Sequence, residues 1–303
     1  MLMFNYDQIT DIELELSTYC NAACQLCYRN YTSFKEHYPI NKFRELNDII
    51  NQLNLFKNLT HIKLVGTISE PTLYKDFLKL IDYINERDLI IEICTNGDTR
   101  DDKFWIELGQ KLKEKDSIYF TICGSTQELH EIYRTKTSLK NILKNAKLLR
   151  TAGKKNDYAQ CIRFSYNDDD FESDKFKELI SEFSNIYMTE TYLRKSDDNY
   201  VNKSNLHLLM PHSDNIKKMI TAEKLANAFF KKSKANCKAQ NWKRVQVDIN
   251  GNIYPCYLFL EASKGTLWDN NWESINNLKY DCCKFCEKTV QQYCLSNNIS
   301  SII

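Results

Sequence analysis

Three cysteines stand close together near the start of the chain: Cys20, Cys24 and Cys27, with the spacing C-x3-C-x2-C. Clustered thiols hold zinc, form disulfides or carry iron–sulfur clusters. Structural zinc normally takes four ligands, and the nearest histidine, His37, does not have a convincing spacing. Disulfides are rare in reducing compartments. A 4Fe–4S cluster held by three thiolates keeps one iron open for another ligand, so the spacing favours that kind of site.

The other cysteines fall into two sets. Cys94, Cys123 and Cys161 stand singly, which is typical of small buried apolar side chains. The second set lies towards the end of the chain and consists of Cys237, Cys256, Cys282, Cys283, Cys286 and Cys294. In a reducing compartment such clustered thiols indicate metal ligands before disulfides.

Composition and the opening residues limit the class of protein. The 41 basic and 40 acidic side chains nearly cancel, which argues against a protein that binds the phosphate backbone of nucleic acids. The opening residues lack the basic and apolar regions of a signal peptide. No apolar run approaches roughly 18 residues, the length that a membrane-spanning helix needs. We therefore expect a cytoplasmic protein with no membrane partner, and a nucleic-acid partner is disfavoured.

Short apolar strands alternate with amphipathic helices over the first two thirds of the chain. The strand-like segments are DIELELS, THIKLVG, LIIEICTN, SIYFTICG, YAQCIRFSYN and NIYMTETYL. Between them, apolar residues recur at helical spacing. Six β–α repeats predict a parallel sheet with helices packed outside it. The predicted fold is α/β, a partial (β/α)6 TIM-like barrel.

Alternation within the strands predicts that one face of the sheet is polar. In the first strand Ile12, Leu14 and Leu16 share one face, and Glu13 and Glu15 share the other. A polar face suits the interior of an open barrel, and solvent-exposed strand edges are the alternative. The predicted cavity residues are Glu15, Lys63, Glu92, Thr121, Arg163 and Asn167. Candidates for catalytic residues, chosen by strand position, are Glu15, Arg163, Tyr192 and Arg194.

The remainder of the chain loses the β–α rhythm. Residues 1–195 form the predicted barrel, residues 196–235 a polar connector, and residues 236–303 a cysteine-rich hairpin and helix module. Within this last region, VQVDINGNIYPCYLF predicts a hairpin that turns at Asn250 and Gly251.

Several segments in this order resemble the radical S-adenosylmethionine (SAM) enzymes. The cysteine triplet has their signature spacing, KLVGTISEPTLYKDF is similar to their Gly-Gly-Glu-Pro segment, and IEICTNG is similar to their third strand. The segment YFTICGSTQELHEIYR is similar to the fourth strand and following helix of the SPASM branch, with His130 and Arg134 in an H-x-x-x-R pattern. That branch commonly has Asp where this chain has Cys123.

The resemblance implies how a catalytic cluster is bound. Cys20, Cys24 and Cys27 would hold a 4Fe–4S cluster whose open iron binds the amino and carboxylate groups of SAM. The residue before the third cysteine is often an aromatic that contacts the adenine. In this chain it is Leu26, with Tyr28 following the cysteine.

The resemblance also implies SAM contacts at the ends of the second, third and fourth strands. The turn that ends in Glu70 would bind the amino group, and Arg134 would pair with the carboxylate. Thr121 would contact the ribose or the carboxylate. The full implied set is Gly66, Ser69, Glu70, Pro71, Thr95, Asn96, Thr121 and Arg134.

The tail resembles the Twitch form of the SPASM extension. Its expected ligands are Cys237, Cys256, Cys283 and Cys286, which would complete one auxiliary 4Fe–4S cluster without an open iron. Cys282 and Cys294 are spare, and either is an alternative ligand. A zinc-binding tail is the other interpretation of these residues.

The resemblance implies reductive cleavage of SAM to methionine and a 5′-deoxyadenosyl radical, which removes a hydrogen from a substrate carbon. A flavodoxin- or ferredoxin-type protein would supply the electron. About ten residues precede the first strand, so we expect a small substrate such as a polyol, aminocyclitol or sugar, which is oxidised. A peptide maturase or epimerase is the second hypothesis, and a non-catalytic iron–sulfur or zinc protein is the third.

Overall fold

The computed structural model describes residues 6–27, 29, 41–154, 156–191, 206–210 and 243–254. Its strands join in one eight-stranded sheet. In chain order they are β1 (Asp11–Leu14), β2 (His61–Leu64), β3 (Ile90–Thr95), β4 (Ser117–Ile122), β5 (Asp157–Arg163), β6 (Asn185–Glu190), β7 (Arg244–Val247) and β8 (Ile253–Tyr254). The order across the sheet is β6-β5-β4-β3-β2-β1-β7-β8.

Neighbouring strands from β6 through β1 to β7 are parallel, and β8 is antiparallel to β7. Among the described strands β6 and β8 are the two ends, so the sheet is open. This arrangement confirms the predicted partial TIM-like barrel. The carboxyl ends of parallel strands meet at one edge, so the segments that follow β1 to β4 can form one site.

The helices lie between successive strands along the chain. They are α1 (Leu46–Leu53), α2 (Phe77–Glu86), α3 (Asp102–Lys111), α4 (Gln127–Tyr133), α5 (Leu139–Thr151), α6 (Asp168–Glu172) and α7 (Asp174–Ile180), with short 3-10 turns at Tyr6–Gln8, Pro71–Leu73 and Leu206–Leu209. Four helices begin at side-chain caps, where Asp101, Thr126, Ser138 and Ser173 each accept a backbone N–H of the first turn. Such caps satisfy donors that have no partner within the helix.

One face of the sheet packs on the helices and forms the core. Ile12, Leu14 and Leu16 are buried there, as their alternation predicts. On the fourth strand Phe120 is fully buried and lies 5.5 Å, between ring centroids, from Trp105 of α3. The apolar face of the strands is therefore the side that positions the helices.

The other face of the sheet is polar. The register places Glu13 beside Lys63 and Lys63 beside Glu92 on successive strands. Lys63 and Glu92 form a salt bridge of 2.5 Å, and the Thr121 hydroxyl donates to Gln160 at 3.3 Å. The predicted side of the sheet is thus confirmed for Lys63, Glu92 and Thr121.

The face predicted for Arg163 is wrong. Ala159 and Cys161 of β5 are buried in the core, so Arg163, at the same parity, lies towards the helices. Its guanidinium forms salt bridges of 2.8 Å with Asp168 and with Glu172. The prediction treated Ile162 as the core residue, whereas two smaller side chains cover the core at this strand.

Asn167 is also not a cavity residue. Its side chain is fully buried, donates to the carbonyls of Cys123 and Ile162 at 3.1 and 3.0 Å, and accepts the N–H of Phe164 at 2.7 Å. These bonds close the turn that follows β5.

The hairpin predicted near the end of the chain is confirmed. β7 and β8 pair antiparallel around a turn at Asn250 and Gly251, where Gly251 has a φ of +81°. The Asp248 carboxylate accepts the N–H groups of Asn250 and Asn252, each at 2.8 Å. Because β7 also pairs with β1, the hairpin extends the main sheet. The boundaries near 195 and 235 lie among residues outside the described part and remain predictions.

Candidate functional site

The segment after β1 carries the three cysteines to the carboxyl edge of the sheet. Cys24 is buried, Cys20 and Cys27 are half-buried, and all three are free thiols. The N–H of Cys27 donates to the carbonyl of Cys24 at 3.2 Å, which closes a turn between them. The spacing in sequence therefore places the three side chains on one short segment.

Contacts with later loops hold this segment in place. The Asn21 amide donates to the carbonyl of Asp98 at 2.7 Å, and the N–H of Ala23 donates to the carbonyl of Thr135 at 2.9 Å. The cysteine segment is thus tied to the ends of β3 and α4. These anchors were not predicted, because nothing in the sequence pairs Ala23 with Thr135.

Two side chains from the barrel donate hydrogen bonds to these sulfurs. Asn96 Nδ2 lies 3.8 Å from Cys20 Sγ, and Arg134 Nη1 lies 3.6 Å from Cys24 Sγ. Burial, with a smaller contribution from Glu70, raises the pKa of Cys20 to about 12. Metal ligation needs thiolates, so donors beside the sulfurs favour the form that binds iron.

The chemistry of this donor set fits an iron–sulfur cluster, because three free thiols and two sulfur-directed donors meet at one edge. The side chains are not gathered into a closed metal site. In the part of the chain that the structure describes, no group of three or more His, Cys, Asp or Glu side chains has that arrangement.

The turn after β2 packs beside the cysteine segment. Gly66 has a φ of +58°, and a Cβ added there would lie 2.2 Å from the carbonyl oxygen of Ser69. Only glycine fits so tight a turn. The N–H of Glu70 donates to the carbonyl of Tyr19, next to the first cysteine, at 2.8 Å. The turn and the cysteine segment are therefore directly linked.

The Glu70 carboxylate joins the ends of β2 and β3. It accepts the N–H and hydroxyl of Thr72 at 3.2 and 2.7 Å, the hydroxyl of Thr95 at 2.6 Å and the N–H of Asn96 at 2.7 Å. Each carboxylate oxygen has about two lone-pair positions, so the three donors on Oε1 saturate that oxygen, whereas Oε2, with one donor, keeps an acceptor position. Burial raises the pKa of Glu70 although these bonds oppose the change. The geometry makes Glu70 a junction within the protein, and its contact with SAM remains a prediction.

Glu15 ends the polar face of the first strand. It is 2% exposed, and it accepts the N–H of Ile68 at 3.3 Å and the hydroxyl of Ser69 at 3.0 Å. Burial raises its pKa to about 7, and these hydrogen bonds limit the rise. The carboxyl group therefore bridges β1 to the turn that contains Ser69.

A chain of hydrogen bonds fixes the end of β4 and the H-x-x-x-R segment. His130 Nδ1 accepts the N–H of Cys123 at 3.3 Å, so the ring proton resides on Nε2, which lies 3.0 Å from the Thr137 hydroxyl. That hydroxyl donates to the carbonyl of Arg134 at 2.6 Å. Burial, assisted by Arg134, lowers the pKa of His130 to about 3. The histidine is a neutral packing residue that positions Arg134.

Leu26 lies in a small apolar cluster rather than on an open surface. It is 5% exposed and packs with Cys123, Phe164 and Leu209. The Tyr133 ring packs against this cluster, 4.7 Å from Phe164 between centroids. The sequence did not identify these aromatic neighbours, because Phe164 directly follows β5 and Tyr133 ends α4, both distant from Leu26 along the chain. An adenine contact of Leu26 remains a prediction.

Several predicted site residues lie outside the described residues. They are Tyr28, Tyr192, Arg194 and the tail cysteines Cys237, Cys256, Cys282, Cys283, Cys286 and Cys294. Three of the residues implied to bind SAM are hydrogen-bonded to one another, since Glu70 accepts from both Thr95 and Asn96. Thr121 bonds to Gln160 on the polar face, and Arg134 reaches the cysteine segment.

Comparison with known proteins agrees with this fold. Residues 14–176 match the family model of the radical SAM superfamily, which is more than half of the 303-residue chain. The chain belongs to this superfamily and is an enzyme. Membership implies a 4Fe–4S cluster and SAM as its cofactors. Among the described residues, no helix has both the length and the apolar character needed to cross a bilayer.

Individual relatives and solved structures have low sequence identity to this chain or match only part of it. GTP 3′,8-cyclase of Haemophilus ducreyi is 32% identical over 106 residues, which are 34% of this chain and 31% of the cyclase. The structure of SuiB of Streptococcus suis bound to SAM has a TM-score of 0.59 at 18% identity, covering 85% of this chain and 62% of SuiB. SuiB with its precursor peptide SuiA has a TM-score of 0.58 at 14% identity, covering 88% and 62%.

A third structure, anSMEcpe with bound SAM and the Kp18Cys peptide, has a TM-score of 0.54 at 16% identity. It covers 83% of this chain and 75% of anSMEcpe. These likenesses describe the fold. The chain spans less than two thirds of SuiB and about a third of the cyclase.

Proposed function

We propose that this enzyme cleaves SAM reductively to methionine and a 5′-deoxyadenosyl radical, and that the radical abstracts hydrogen from a carbon of a small polar substrate. The observation that carries the proposal is the junction at Glu70. Its carboxylate and backbone link the cysteine segment, the Gly66 turn and the end of β3 into one edge of the barrel. Parallel α/β proteins place their active sites at this edge.

Cys20, Cys24 and Cys27 would hold the catalytic cluster. When bound, a 4Fe–4S cluster with an open iron supplies the electron that breaks the sulfonium carbon–sulfur bond of SAM. The protein keeps the three thiols at the carboxyl edge and provides sulfur-directed donors from Asn96 and Arg134. A flavodoxin- or ferredoxin-type protein is the proposed reductant.

The turn from Gly66 to Pro71 would receive the amino group of SAM. Its backbone bends sharply at Gly66, and the buried Glu70 side chain keeps it rigid. Since Glu70 Oε1 already accepts three internal donors and Oε2 accepts one, we assign the ammonium contact to the remaining acceptor position of Oε2 and to backbone carbonyls of this turn. Glu15 braces the same turn from β1.

The test is SAM cleavage by the full chain. Protein reconstituted anaerobically and reduced with dithionite should release 5′-deoxyadenosine. A variant with Cys20, Cys24 and Cys27 all replaced by Ala should release none. Cys161→Ala is a matched control, because that cysteine is buried on the helix-facing side of β5. Cleavage retained by the triple variant would refute the assignment of these ligands.

We also propose that Cys237, Cys256, Cys283 and Cys286 hold one auxiliary 4Fe–4S cluster, as in the Twitch form of the SPASM branch. Two such clusters correspond to about eight irons per chain. Replacing Cys283 and Cys286 by Ala should lower the iron content to about four and preserve SAM-dependent changes in the EPR spectrum. Zinc in the tail, with about four irons in the unaltered chain, would contradict this proposal.

A small polar substrate is supported by the polar face of the sheet, with its Lys63–Glu92 pair and the Thr121–Gln160 contact. A peptide substrate is the second candidate, supported by the similar structures that contain a precursor peptide or the Kp18Cys peptide. Neighbouring genes separate the two. A short adjacent open reading frame whose product is modified when both are co-expressed would favour the peptide, and genes for sugar or aminocyclitol metabolism would favour the small molecule.

A further inference from the structure

The guanidinium of Arg134 points at a sulfur of the cysteine segment. Its Nη1 donates to Cys24 Sγ at 3.6 Å. The backbone of Arg134 is held on both sides, since its N–H donates to the carbonyl of His130 at 3.0 Å and its carbonyl accepts the Thr137 hydroxyl at 2.6 Å. The side chain therefore approaches Cys24 from a fixed position.

The surroundings of Arg134 do not neutralise its charge. Its planar group lies 5.5 Å from the centre of the Tyr133 ring, and its Nε is buried without a hydrogen-bond partner. Among the described residues no carboxylate lies within salt-bridge distance of it. Cys123 is fully buried and offers no carboxylate that could balance the guanidinium.

A positive charge beside a cluster ligand raises the reduction potential of the cluster. Reduction adds one negative charge to the cluster, and a nearby cation stabilises the reduced state more than the oxidised state. Hydrogen bonds to ligating sulfurs and the local net charge are the levers by which proteins adjust iron–sulfur potentials. The half-buried site weakens screening by solvent, so the contact of Arg134 acts strongly.

We propose that Arg134 donates a hydrogen bond to the Cys24 thiolate of the catalytic cluster and thereby raises its reduction potential, before any SAM is bound. This inference rests on the proposed cluster at Cys20, Cys24 and Cys27. Arg134 acts through Cys24 and is a positioning residue. Cys123 has no carboxylate that would draw the guanidinium away from the sulfur.

The test is a redox titration of the reconstituted full chain without SAM, followed by EPR. The catalytic cluster is recognised as the signal that changes when SAM is added afterwards. Arg134→Gln should move the equilibrium towards the oxidised cluster at least tenfold, which for one electron is a fall of 59 mV. Arg134→Lys keeps the positive charge, so its reduction potential should fall by less than that of Arg134→Gln. Lys136→Gln removes an exposed charge two residues away and should leave the potential unchanged.

Two further measurements keep the proposal falsifiable if Arg134→Gln does not fold. Cys123→Asp offers the guanidinium a carboxylate and should also lower the potential. In wild-type protein with 15N-labelled arginine, the reduced SAM-free cluster should have a 15N hyperfine coupling that Arg134→Lys removes.

The outcomes separate this inference from the proposed function. A wild-type protein without a SAM-sensitive cluster signal overturns both. The role of Arg134 alone is overturned if wild type gives a normal signal but neither variant changes the potential. That means that the redox equilibrium constants of Arg134→Gln and Cys123→Asp both lie within twofold of the wild-type value.

Discussion

The Glu70 carboxylate accepts the backbone N–H of Asn96 at 2.7 Å, which fixes the end of the second strand to the end of the third. The bond is made by Oε2, whereas Oε1 accepts all three donors from Thr72 and Thr95. Asn96 in turn donates from its side chain to Cys20 Sγ. One buried carboxylate thus connects the predicted SAM-binding turn with a predicted cluster ligand.

Glu70→Gln should weaken this junction at one point. The amide can keep its oxygen at the Oε1 position, but its NH2 group then faces the N–H of Asn96, and two donors cannot bond. Leaving a buried donor unsatisfied costs about 1–3 kcal/mol. We expect the free energy of unfolding, measured with urea, to fall by that amount. Hydrogen exchange at the Asn96 backbone amide should also become faster. Glu86→Gln, which alters an exposed acid, is the control. Unchanged exchange at Asn96 would contradict the junction.

Glu15→Gln should stabilise the protein in alkaline solution. The folded pKa of about 7 exceeds the ordinary glutamate pKa of 4.5, so the folded protein retains a proton that the unfolded chain releases. Stability from this group is complete below pH 4.5 and is lost as pH rises through 7. Gln at this position cannot ionise. The free energy of unfolding of the variant, relative to that of wild type, should therefore be on the order of 3 kcal/mol greater at pH 8 than at pH 4.5. Chemical unfolding at both pH values measures this, and a pH-independent difference would refute the raised pKa.

The six β–α repeats could be predicted from the sequence because long apolar side chains alternate in most strands. The prediction was wrong at β5, where Ala159 and Cys161 cover the core. Small residues produce a weak alternation signal, and the larger Ile162 beside them suggested the opposite face. Arg163 was assigned to the cavity for that reason.

At the site, the spacing of Cys20, Cys24 and Cys27 identified the candidate ligands, since the residues are neighbours in the chain. The contact between Arg134 and Cys24 could not be predicted from spacing, because 110 residues separate them. It depends on where α4 ends relative to the sheet, and the tertiary packing of His130 under Cys123 determines that position.

His130→Asn should remove an acid-sensitive element of stability. The folded pKa of about 3 lies below the ordinary histidine pKa of 6.5, so stability from the neutral ring is present above pH 6.5 and is lost as pH falls towards 3. Between pH 7 and pH 5 the wild type should lose roughly 2 kcal/mol through this group. Asn can accept the N–H of Cys123 without titrating, so the variant should lack that loss.

Unfolding free energies of wild type and His130→Asn at the two pH values check this expectation. His61→Asn is the matched control, because His61 is exposed. Parallel losses in wild type and His130→Asn would contradict the neutral buried histidine.

Gly66→Ala tests the turn proposed to receive SAM, with Gly153→Ala as its matched control. Both glycines have positive φ, +58° and +124°, but an added Cβ at Gly66 meets the Ser69 carbonyl oxygen at 2.2 Å, whereas Gly153 has nothing within 4 Å. Each variant should lose about 1–3 kcal/mol of unfolding free energy from backbone strain. Gly66→Ala should lose more unfolding free energy than Gly153→Ala, because the backbone of Ser69 must move. It should also weaken SAM binding about tenfold or more by equilibrium dialysis of reconstituted protein, and Gly153→Ala should bind normally. Equal SAM affinity in the two variants would separate this turn from the SAM site.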